Sequence, residues 1–180
     1  AIKKAMELEP NEIAYAMHYQ NILAIHDKEI PNTLQQETLK RIQRNQATPS
    51  TILALQQISS CLDKKPCAPL KNNYIEWLDT FIQQNPLSSN YYYFRGKAYR
   101  ANGDDIAALN SFQKAHELRS DFLHPLFEMI VILLKKGHIY QAEQLFSDLK
   151  AANNKSANPR NSEIIELEKN IAILKEKFQR

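Results

Sequence analysis

Apolar residues recur along this chain at helical spacing and are interrupted by proline or glycine at regular points. This periodicity predicts helices near 1–8, 12–26, 33–46, 49–62, 70–84, 88–101, 105–118, 122–136, 139–152 and 162–178. Pro10, Pro31, Pro49, Pro69, Pro86, Pro125 and Pro159 fall at or near their boundaries, where a missing N–H costs least. The polar stretch 152–161 reads as a linker. Beyond it, Ile164, Leu167, Ile171, Leu174 and Phe178 form a seam at spacings of 3, 4, 3 and 4. Such a seam suits a lid on the preceding hairpin or one half of a coiled coil. The lid is favoured, because a stack of hairpins needs its open end covered.

The elements repeat. Gly103 and Gly137, Ala108 and Ala142, and Phe112 and Phe146 are each separated by 34 residues. Each unit reads as helix, turn, helix. Glycine just past a helix closes the last turn in a left-handed conformation, and Asp104 or Asp105 then caps the next helix. Ala108 and Ala142 are small where two helices cross closely, while Phe112 and Phe146 fill the space between hairpins. Before residue 86 the fixed length is lost: the two units over 11–86 total 76 residues, where two exact periods would give 68.

Tyr92, Gly96, Tyr99, Gly103, Ala108, Phe112 and Ala115 resemble the tetratricopeptide repeat pattern almost position for position. Leu126, Leu133, Gly137, Ala142 and Phe146 match it in the next unit, with Ile130 at the small-residue position. Ala5 and Pro10 resemble the tail of such a unit. Ala16, Tyr19 and Leu23 resemble the next first helix, with Gln20 where the small residue belongs. The resemblance implies an all-α, right-handed superhelix of antiparallel helix pairs with a C-terminal capping helix. It implies a single domain over 1–180, with divergent pairs in 1–86, two well-formed repeats in 87–152 and the cap in 160–180. In that family the first helix of each pair lines a concave, partner-binding surface. This places Met17 and Asn21, then Asn90, Tyr93, Lys97 and Arg100, then His124, Phe127, Val131 and Lys135 on the binding face. A protein or peptide ligand is expected there. Lys97 and Arg100 alone do not complete the family's carboxylate clamp, so binding of chaperone C-termini is not expected.

Composition narrows the chemistry. Three glycines in 180 residues, against about thirteen at average usage, leave no phosphate cradle, dinucleotide turn or nucleophile elbow. No catalytic residue, small-molecule substrate, cofactor or metal is expected: His18, His26, His116, His124 and His138 form no ligand pair, and a zinc site needs four ligands. The net charge is +3, with 9 basic and 9 acidic residues in 1–86 and 14 and 11 in 87–180. That balance argues against a nucleic-acid binder, which shows a dense basic face. The longest apolar run, Met129 to Leu134, is six residues, too short to enter a membrane as a span. The chain opens on what reads as the end of a helix, as a fragment of a longer protein would.

Cys61 and Cys67 flank the tip of a hairpin, and either bridge it or stay two separate thiols. A bridge implies a periplasmic or other extracytoplasmic setting; reduced thiols imply the cytoplasm. The expected function is a non-catalytic interaction scaffold, with self-association through the C-terminal helix open. Two alternatives accompany it. The Cys61/Cys67 hairpin with Trp77-Leu78 and Asn85-Pro86 weakly resembles envelope-side tails of bacterial O-antigen ligase or polymerase-type membrane glycosyltransferases. The Tyr/Lys/Arg face of 93–100 also suits weak single-stranded nucleic-acid binding by stacking.

Overall fold

The computed structural model describes residues 1–26, 28–62, 69–155 and 159–178. Its elements are α1 (Ile2–Leu8), α2 (Ile13–Ile25), α3 (Asn32–Arg44), α4 (Pro49–Ser59), α5 (Lys71–Gln84), α6 (Ser89–Ala101), α7 (Asp105–Leu118), α8 (His124–Lys135), α9 (Ile139–Asn154) and α10 (Asn161–Phe178). Among the described residues there is no strand. The chain forms two compact units, 1–108 and 109–180.

The helix ends follow from local chemistry. Thr48 and Thr51 form a reciprocal capping box at the start of α4, with Pro49 in its first turn. The Thr48 hydroxyl also donates 3.2 Å to Glu12 Oε1, whose carboxylate caps α2 through the Ala14 N–H. Gly103 and Gly137 have φ of 81° and 78°. At each, the following N–H reaches back to a carbonyl five residues earlier, Asp104 to Tyr99 at 3.0 Å and His138 to Leu133 at 2.9 Å. That closure requires the left-handed backbone glycine adopts without strain. Asp104 then accepts from the Ala107 N–H at 3.0 Å and starts α7.

In the first unit, α2 packs against α1, α3 and α4; α4 adjoins α6, and α3 adjoins α5. First helices therefore sit beside first helices and second beside second, the arrangement of stacked tetratricopeptide hairpins. Trp77, Tyr74, Phe81 and Leu78 of α5 fill the core with Met17, Ile42, Leu55 and Ile58. Phe81 stacks on Tyr91 of α6, with centroids 5.4 Å apart. Tyr91, not Tyr92, thus enters this core. In the second unit, α8 pairs with α9, and α10 lies along α9. Ile164, Leu167 and Ile171 bury against Ala142, Phe146 and Leu149, so the seam in α10 acts as the lid.

Candidate partner-binding site

The α2 part of the expected face is not a surface. Met17, together with Ala14 and Ala24, is fully buried, because α2 is covered by three neighbouring helices. Asn21 remains half-buried, with its Oδ1 3.6 Å from the Cys61 sulfur. Cys67 lies outside the described residues, so the choice between a Cys61–Cys67 bridge and two separate thiols is taken up below as a proposal.

On α6, Asn90, Tyr93, Lys97 and Arg100 recur at i, i+3, i+7 and i+10, and all four are half-buried. Tyr93 packs its ring against Phe94 (5.8 Å between centroids) and against the core, which fixes its orientation. The opposite flank of α6 is occupied by Arg95, which pairs with Asp79 at 2.8 Å and lies 5.1 Å over Tyr92 and 6.0 Å over Tyr99. That cation holds α6 on α5, on the flank opposite Lys97.

On α8, His124, Phe127, Val131 and Lys135 fall on one strip. Val131 is 45% exposed, and Phe127 is half-buried beneath the Arg160 guanidinium at 5.1 Å. Phe127 and Leu134 rest on the unit core, so the strip is apolar and anchored from below, with His124 and Lys135 exposed at its ends. Ile130, on the far side, is fully buried.

Among the described residues, Tyr74, Tyr91 and His18 have displaced titrations, each with a structural cause. Tyr74 is pushed well above the usual phenol range by complete burial; its hydroxyl donates to the Leu55 carbonyl at 2.6 Å. Burial also raises Tyr91, and partial burial lowers His18. All three reflect packing rather than acid–base chemistry on the α6 or α8 strips. Among the described residues, no three His, Cys, Asp or Glu side chains group to hold a metal ion, and no helix is long and apolar enough to cross a membrane.

A second concavity escaped the sequence reading. A groove of about 450 Å³ runs between α9 and α10, lined by Glu143, Phe146, Ser147 and Lys150 on one side and Glu168, Ile171, Ala172 and Lys175 on the other. The signal was present as two octets, 143–150 and 168–175, each placing acid, apolar, small and basic residues at i, i+3, i+4 and i+7. Their separation of 25 residues is not the repeat period, so a search at 34 passes over it.

No family model matches the chain, and no curated protein does, so the likeness to membrane glycosyltransferase tails gains no support. Solved structures do match. A crystal structure of MamA is 16% identical, covers 86% of each chain and superposes with a TM-score of 0.53. A double mutant of MamA RS-1 gives 16% identity, 85% and 82% coverage and a TM-score of 0.55. SycD, the type III secretion translocator chaperone of Yersinia enterocolitica, is 14% identical, with 74% of this chain and 97% of that one covered and a TM-score of 0.56. MamA and SycD are tetratricopeptide-like helical proteins, and at these identities the likeness establishes the fold alone: this chain has an all-α, tetratricopeptide-like fold.

Proposed function

We propose that the chain is a non-catalytic module that binds a protein or peptide, the α8 strip of the second unit giving an apolar contact and the α6 strip of the first unit, by itself, a mixed aromatic and cationic one. The observation that carries this reading is Val131 on α8: a β-branched apolar side chain, 45% exposed, between Phe127 and Leu134 that are seated on the core. A rigid helix face presents these side chains with little ordering left to do on binding, which favours affinity. Apolar or aromatic side chains of the ligand would sit over Val131, beside the Phe127 ring that Arg160 covers. On α6, Tyr93 offers a ring packed against Phe94, and Lys97 supplies donors for acidic groups. SycD, a secretion chaperone of the same fold, is a protein that handles other proteins and supports the class of partner, not its identity.

The test is selection of a displayed random peptide library against the chain. Enriched peptides should bind with affinities that fall at least about tenfold for Val131→Asp, a loss of about 1.4 kcal/mol. Selection that enriches nothing, or peptides indifferent to Val131→Asp and Tyr93→Ala alike, would overturn the reading.

A further inference from the structure

The α9–α10 groove is built symmetrically. The two helices run antiparallel, so the acid of each octet meets the base of the other: Glu143 with Lys175 at 2.6 Å, and Lys150 with Glu168 at 2.8 Å. Between these ion pairs the small residues Ser147 and Ala172 face solvent and leave an opening. Its floor is the core side chains Phe146 and Ile171. Tyr140 stands two turns before Ser147 on the same flank of α9 and is 80% exposed, the most exposed large apolar residue described. Ile165 holds the corresponding position two turns before Ala172 on α10 and is 52% exposed.

A socket and a protruding ring therefore lie about 10 Å apart on one helix face, at 1.5 Å per residue. A surface with both is self-complementary: a two-fold axis midway between them seats each ring in the other copy's socket. We propose that this face joins two copies of the chain, with Tyr140 of each entering the opening between Ser147 and Ala172 of the other. The charges agree with that occupant. The rim carries two acids and two bases, each already paired within its own copy, so identical surfaces meet without repulsion. A strongly charged foreign partner would find no complement here. Ile165 extends the apolar margin on the α10 side.

Sedimentation velocity of the chain tests the proposal. At about 100 μM, well above a micromolar dissociation constant, the wild type should run as a dimer. Tyr140→Ser, which removes the ring, and Ala172→Trp, which plugs the socket, should each weaken association at least tenfold. Both sites face solvent, so the thermal melt of the diluted, monomeric chain should not move. Ile106→Ser, removing a 76% exposed apolar residue from α7, should leave the dimer intact. A photo-reactive phenylalanine at position 140 should cross-link to a peptide containing Ser147 or Ala172. A wild type that stays monomeric at that concentration would overturn the proposal. So would a dimer indifferent to both substitutions, or cross-links from position 140 made to a different protein.

Discussion

Gln20 occupies the α2 position where a tetratricopeptide helix carries a small residue, and it is fully buried. Its Nε2 donates to Thr38 Oγ1 at 2.6 Å and, weakly, to the Leu34 carbonyl at 3.4 Å. Its Oε1 is buried with no partner among the described residues. Replacement by methionine keeps the length of the side chain and removes both polar ends. The lost hydrogen bond is worth about 0.5–1.5 kcal/mol, while relief of an orphaned buried acceptor returns about 1–3 kcal/mol. Thr38 stays satisfied, since its hydroxyl donates to the Leu34 carbonyl at 2.8 Å. Gln20→Met should therefore stabilise the first unit by about 1 kcal/mol, equivalent to about 3 °C in Tm for a chain of this size. Thr38→Val, which strands the Gln20 amide, should cost about 1–3 kcal/mol, and the double variant should recover most of that loss. Urea titration followed by far-ultraviolet circular dichroism measures all three, with an unchanged slope showing that the native state is unaltered. If Gln20→Met instead costs more than about 1 kcal/mol, the carbonyl end is doing something favourable and this account of the buried amide fails.

Ala108, fully buried at the start of α7, should lose about 1–3 kcal/mol on replacement by leucine, whereas Ala151→Leu on the exposed side of α9 should be nearly neutral by the same titration. His18 has its folded pKa lowered by burial, so below about pH 6.5 the unfolded chain binds more protons. Stability should fall as pH drops from that value toward the folded pKa, and His18→Gln should flatten the profile. Tyr74 has the opposite sense: its stabilisation is complete below about pH 10 and lost as pH climbs through its raised folded pKa, which Tyr74→Phe should abolish. We propose that Cys61 and Cys67 form a bridge; the denatured, unreduced chain should then show no thiol to Ellman's reagent, and two reactive thiols would refute it.

The ten helices of the described residues were legible because proline and glycine punctuate them chemically: a residue without an N–H, or one free to adopt positive φ, acts on the backbone whatever surrounds it. The α10 lid was legible for a related reason, since its 3–4 spacing leaves one apolar side that water must not keep. Position within a face is another matter. Spacing puts Met17 on a stripe with Asn21, yet only the arrival of three neighbours decides that the stripe is interior. Likewise Tyr91 and Tyr92 are adjacent aromatics, and stacking on Phe81 selects the first. On α8, Val131 and Phe127 lie over a core whose own members, Ile130 and Leu133, were plain in the periodicity.

The attachment of α10 combines two surface ion pairs with three interior aliphatic side chains, and these respond to different surroundings. The Glu143–Lys175 and Lys150–Glu168 contacts are substantially wet, so brine screens them at small cost. Ile164, Leu167 and Ile171 adhere through water exclusion, a force that weakens on chilling. Within its unit, α10 is therefore held by a thermal catch rather than an ionic one: salt leaves it shut, and cold is what loosens it.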